Sequence, residues 1–215
     1  MEKFRQEHRK VNTLAQEYGF EQEHERHLLT DVKIKAEETL KKKAVRLIFE
    51  LLVAVLFGAL TAVIFFQSVT MQESSMEPTL TLGDKYFMNR LSYHLGEPKN
   101  GDIIVFKNNG SDEAALHIRR VIGVPGDVVQ IVDGRVLING ITMKEKGDFP
   151  SISNPGTAAS PLALGPDEYF VLGDNRNNSE DSRYGDIGMV KKKYILGKIW
   201  FTAAPLERIG FIRNS

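Results

Sequence analysis

A mainly β domain of antiparallel sheets, following a helical tail and one transmembrane helix, is the architecture that this 215-residue sequence predicts. Three observations point to it. A single apolar run at residues 47–66 matches the roughly 20 residues that a helix needs to cross a bilayer core. The residues ahead of it are charged, lack proline and contain one glycine, Gly19. Those behind it break into short β-rich stretches bounded by turn residues, the texture of an all-β domain.

Residues 1–43 read as a charged cytoplasmic helical tail, in which Leu28, Val32, Ala36 and Leu40 recur every four residues among Glu, Lys and Arg. His24 and His27 stand there beside several Glu, a pattern that a solvated charged face explains as well as a metal site would. Residues 44–67 form the transmembrane helix. Within the apolar run only Glu50 is charged, and it lies one turn after Arg46, so the two can pair and snorkel to the near interface. A soluble core helix this long would carry a polar face. Lys41, Lys42, Lys43 and Arg46 crowd the start of the span, whereas residues 67–80 carry two acids and no base. The positive-inside rule therefore puts residues 1–43 in the cytoplasm and everything after Gln67 outside, as a single-pass protein of the cell membrane.

The remaining residues, 68–215, read as an extracytoplasmic all-β domain. Strands are predicted at 85–91, 102–107, 116–124, 127–132, 135–139, 168–172 and 194–202. Asp133-Gly134 between two apolar runs signals a hairpin, because a two-residue type I′ turn needs positive φ at both central positions. Residues 143–166, rich in Gly, Pro, Ser and Ala, read as a surface loop or small insertion. The 28 basic and 28 acidic residues cancel, and no basic stripe interleaved with aromatics gives a case for nucleic acid. Cysteine is absent, so no disulfide frame or thiolate metal site can form.

Three dense motifs carry the chemistry. Ser75, in Glu73-Ser74-Ser75-Met76-Glu77-Pro78-Thr79-Leu80, follows the apolar run by nine residues, so a candidate nucleophile stands at a membrane surface. His117-Ile118-Arg119-Arg120 comes next, then Gly173-Asp174-Asn175-Arg176 running on to Ser179-Glu180-Asp181-Ser182-Arg183. Taken singly, these could be a turn serine, an ordinary strand and a polar turn with surface ion pairs. Together, in this order behind a membrane anchor, they resemble the bacterial type I signal peptidases of the single-anchor kind, from about residue 47 to the C-terminus.

The resemblance implies a serine endopeptidase without metal or organic cofactor that removes signal peptides from exported preproteins after a small-x-small site. Its partners would be preproteins, the lipid bilayer and the secretion machinery. It makes Ser75 the nucleophile and its backbone N–H an oxyanion donor. Where some members carry a second serine donor, this chain has Glu73, a carboxylate unhelpful to an oxyanion unless it turns away. Ser179 matches a serine that holds a lysine amine, Asp181 with Arg183 matches a brace for the site loops, and Asp174 belongs to the same signature. Met76, Leu80 and Ile118 match positions that form shallow apolar pockets.

One position departs from that pattern. The general-base lysine expected before Arg120 is Arg119, and a guanidinium with a pKa above about 12 cannot accept a proton at ordinary pH. Another residue is then the base, or the chain is a peptide-binding relative with lost or reduced activity. His117 shares a strand face with position 119. It is an alternative base, although two strand residues span about 6.6 Å, and its place otherwise matches a wall of the substrate groove.

Overall fold

The computed structural model describes residues 2–65, 67–108, 115–145 and 147–212, and within the first segment the side chains of Gly19, Thr30 and 33–63. The side chains of His24, His27, Leu28 and Val32 lie outside the described residues. The chain divides into two units, Met1–Ala59 and Leu60–Ser215.

Helix α1 (Glu2–Phe65) runs unbroken for 64 residues, about 96 Å at the usual rise per residue. Its segment Lys33–Val63 is long and apolar enough to cross a membrane, and its large apolar side chains are exposed. Arg46 Nε donates to Glu50 Oε1 at 2.8 Å, the i,i+4 pair expected at the head of the span.

The second unit is built from two antiparallel sheets. The larger joins β1 (Gln67–Thr70), β2 (Lys85–Asn89), β11 (Ile195–Ala204), β3 (Ile103–Lys107), β4 (Leu116–Gly123), β9 (Glu168–Leu172) and β10 (Val190–Lys191) in that order, with β12 (Gly210–Phe211) on β11. The smaller runs β7 (Ile141–Thr142), β6 (Arg135–Ile138), β5 (Val128–Val132), β8 (Leu162–Ala163). Strands β1, β7, β8, β10 and β12 escape the sequence reading because each has only two to four residues, too few to show a period. Short helix α2 (Ser92–Leu95) follows β2 and buries Tyr93.

Turn Asp133-Gly134 joins β5 to β6 with φ of 48° and 73°, as a type I′ turn requires. A Cβ on Gly134 would meet Ser151 Oγ at 2.1 Å, because Ile152 N donates to the Gly134 carbonyl and brings residues 151–152 against the turn. That contact is one of several that anchor segment 143–166, read from the sequence as a surface loop or small insertion, to the core. Ile152, Ala158 and Leu164 are buried with Val129, Ile131, Val136 and Phe170, and Leu162 pairs with Val129. The segment lacks periodicity because it reaches the core through separate residues and gives only the two-residue strand β8 to a sheet.

Strand β4 is central. Residues 118–123 are buried without interruption, so both faces of the strand are covered. Ile118 packs with Met76, Leu80 and Ile103, whereas Val121 packs with Ile104 and Phe106. The alternation puts Arg119 and Arg120, both buried, on opposite faces, and each must find its own counter-charge.

Candidate active site

The turn between β1 and β2 presents Ser75. Met76 and Leu80, each fully buried, anchor the turn in the core, and Leu80 N donates to the Met76 carbonyl at 2.9 Å. This anchoring is the physical meaning of the apolar positions after the serine. Of the three residues expected to wall a pocket, only Ile118 borders an open groove; Met76 and Leu80 are core residues with no exposed surface. From the other side, Asn175 holds the turn, its N–H on the Ser75 carbonyl at 3.0 Å and its Nδ2 on the Ser74 carbonyl at 3.1 Å.

Ser75 is 2 % exposed, and its Oγ accepts a hydrogen bond of 2.8 Å from Arg119 Nη1. The same guanidinium donates to the Ile118 carbonyl (Nη1, 2.8 Å), the Glu180 carbonyl (Nε, 2.7 Å) and Glu73 Oε2 (Nη2, 2.8 Å). Its charge is thereby neutralised and four of its five N–H donors are used, conditions under which a buried cation is tolerated. The direction of the Ser75 bond matters, because the guanidinium gives a proton to that bond and has no lone pair to take one.

Glu73 bridges two residues of β4. Its Oε2 meets Arg119, and its Oε1 stands 3.4 Å from His117 Nδ1. That second contact is within ion-pair range but lacks hydrogen-bond geometry, and His117 Nδ1 makes no hydrogen bond to a described residue. The His117 and Arg119 neighbours, His117 contributing most, hold the Glu73 carboxyl down from 4.5 to about 2 against its partial burial. The 2.8 Å Arg119 contact is the firmer geometric anchor. His117 also packs on Phe106, ring centroids 5.5 Å apart, and no hydrogen bond links it to Ser75 among the described residues.

Ser179 Oγ is buried near Gly173, without a hydrogen bond to any described residue. Arg119 passes it and bonds the next carbonyl, that of Glu180. A Cβ on Gly173 would lie 2.2 Å from Ser179 Oγ and 2.5 Å from the Ser75 carbonyl oxygen, so only glycine lets the third motif approach the nucleophile.

Behind this front the acidic and basic residues of the third motif pair off. Asp174, wholly buried, takes a two-pronged bond from Arg120 at 2.7 Å each. Asp181 binds Arg183 through Nε at 2.7 Å and Nη2 at 2.9 Å and accepts from Gly173 N–H at 3.1 Å. Arg176 forks onto Glu145 and lies over the Phe149 ring at 4.5 Å. These are bidentate and desolvated, unlike the surface pairs that a polar turn would give.

Two hollows meet at Glu73, one of them lined by Ser75. A cavity of about 660 Å³ lies between Gln72, Glu73 and Ser75 on one side and Asn178, Ser179 and Glu180 on the other. A groove of about 210 Å³ runs between residues 68–73 and Leu116 and Ile118. Glu73 borders both. Among the described residues no group of three His, Cys, Asp or Glu side chains could hold a metal ion.

The residue that sequence reasoning underrated is Glu73. A carboxylate two residues before Ser75, in a chain with an arginine at 119, is the available signal, and only the fold shows that the two meet.

Comparison with known proteins gives a consistent result. A family model described as signal peptidase, peptidase S26, matches residues 44–203. A protein described as "Signal peptidase I P" from Bacillus subtilis subsp. natto is 33% identical over 180 residues, 80% of this chain and 96% of its own length. One from Synechocystis sp., described as "Probable signal peptidase I-2", is 37% identical over 145 residues, 66% of this chain and 64% of that protein. The crystal structure of a signal peptidase I from Enterococcus faecalis V583 is 30% identical, with 48% of this chain and 97% of that chain covered at a TM-score of 0.37.

Proposed function

This chain belongs to the signal peptidase family, the S26 peptidases, serine proteases by class, and on that premise we propose that it is a membrane-anchored endopeptidase that removes signal peptides from exported preproteins after a small-x-small site. Residues 1–43 lie in the cytoplasm and the β domain faces outward. The observation that carries the reading is Ser75: a buried residue lining the larger cavity, its backbone carbonyl held by Asn175 and its hydroxyl by a β4 cation.

In this reading the preprotein lies extended in the groove beside residues 68–73, backbone bonds giving affinity and Ile118 bounding the space for small side chains. Ser75 Oγ attacks the peptide carbonyl, and the Ser75 N–H meets the developing oxyanion. Asp174, Asp181 and Arg183 keep the third motif in place behind the nucleophile. Arg119 stabilises negative charge on Ser75 and leaves the proton to another acceptor, so turnover is slow at neutral pH.

A second reading is favoured by the same contact. With Arg119 donating to Ser75 and His117 turned to Glu73, the protein would bind extended peptides or secretion partners without cutting them.

A small-x-small peptide and the detergent-solubilised protein distinguish the two. Ser75→Ala abolishes cleavage, whereas Ser74→Ala, which loses one bond from Asn178, keeps turnover close to the parent. Arg119→Lys gives an amine that can lose its proton beside the Ser179 hydroxyl, which has no hydrogen-bond partner among the described residues, and raises turnover at alkaline pH by about 10²-fold, the contribution of a positioned base. Peptide binding without cleavage in both the parent and Arg119→Lys would leave the second reading standing.

A further inference from the structure

Glu73 and Arg119 form one electrostatic unit. Among the described residues the guanidinium has no other carboxylate as a hydrogen-bond partner; its further acceptors there are the Ser75 hydroxyl and the carbonyls of Ile118 and Glu180. Because Nη1 reaches Ser75 while Nη2 is held by Glu73, the charge that the hydroxyl meets is that of a pair, not of a free cation. Glu73 also stands at the junction of the groove and the cavity, 3.4 Å from His117.

Resting on the peptidase reading of Ser75, we propose that Glu73 is a positioning residue: it aims Arg119 at Ser75 and, by neutralising it, sets how readily the hydroxyl loses its proton. An unopposed cation beside a hydroxyl favours the alkoxide, and a neighbouring carboxylate opposes it. The other titratable groups facing the site are His117 on β4 and Glu180, Tyr184 and Asp186 on the third-motif loop. None of these is a hydrogen-bonding side chain of Arg119. The same logic reaches the lysine variant. An amine placed at 119 beside the Glu73 carboxylate is held as ammonium, so the change at 119 delivers a base only at raised pH while Glu73 remains.

The test uses the full chain in detergent and two readouts. The first is labelling of Ser75 by a fluorophosphonate from pH 6 to 10, in which the Ser75 proton passes to solvent hydroxide and fluoride leaves phosphorus as the Ser75 O–P bond forms. Glu73→Gln keeps size and hydrogen bonding but removes the charge, and it labels about 10-fold faster than the parent at a given pH, equivalent to one pKa unit. A cooperative melt checks that the variant is folded, and Ser75→Ala sets the background. The second is the pH profile of peptide cleavage by Arg119→Lys, whose rise moves about one unit lower when Glu73→Gln is added, as expected for loss of a close opposite charge.

A merely structural Glu73 would move neither profile along the pH axis. Superimposed labelling curves, slower labelling in folded Glu73→Gln, or no labelling of Ser75 in any variant overturns the proposal. Failure of every variant to cleave peptide, with labelling shifted as expected, removes the peptidase reading and leaves the Glu73 assignment intact.

Discussion

A guanidinium at 119 stands where the family pattern has a lysine amine. A lysine amine can be neutral and accept a proton in a buried site, whereas guanidinium presents donors only. Arg119 spends those donors on Ser75, Ile118, Glu180 and Glu73, which is why it can be wholly buried. The pairing also has a signature in stability. The Glu73 carboxyl titrates at about 2 in the folded protein, below its ordinary 4.5, so it binds fewer protons folded than unfolded across that interval. The stabilisation is complete above pH 4.5 and is lost as pH falls through about 2. At 38% side-chain exposure the effect is screened and small. Glu73→Gln is expected to melt below the parent at pH 7, with the gap closing over that acid range. Thermal melts from pH 7 to 2 measure it, and a gap independent of pH would assign the loss to packing.

At the level of elements, β4 and the loop after β9 are joined by a buried ion pair on one face and the site on the other. Arg120 and Asp174 are held by two bonds of 2.7 Å with almost no exposure. Removing one partner strands the other charge in a dry interior, which costs about 3–5 kcal/mol. Asp174→Ala should therefore lower the denaturant midpoint sharply, while Arg120→Met with Asp174→Leu recovers most of the loss because no charge is left buried. Urea unfolding of the three proteins checks this; equal losses in the single and double variants would mean that packing matters more than charge. The same loop places Gly173 and Asn175 against Ser75, so its fold and the geometry of the nucleophile are not separable.

For the whole molecule, the candidate nucleophile Ser75 lies a short chain length beyond a helix able to cross a membrane. A reporter after Ser215 is expected outside the cell and one before Met1 in the cytoplasm; protease protection of intact cells decides it, and a sealed C-terminal domain would defeat the orientation. Much of this was legible in the sequence because its signals are local. A long apolar run, a basic flank, an Asp-Gly turn between apolar stretches and the order of three motifs all depend on near neighbours, and the longer predicted strands reappear with ends shifted by only a few residues. The sheet order, the burial of Ile152, Ala158 and Leu164 under an aperiodic segment, and the withdrawal of Met76 and Leu80 into the core were not legible. Nor was the contact between Glu73 and Arg119, 46 residues apart. Alternation along β4 told which side chains share a face, but the partner across that face belongs to the turn between β1 and β2, strands that do not neighbour β4 in the sheet order. The sequence by itself determined the class of chain and its candidate nucleophile. Only the tertiary structure decided which charges meet at that nucleophile, because burial makes each charge answer to whatever residue long-range packing sets beside it.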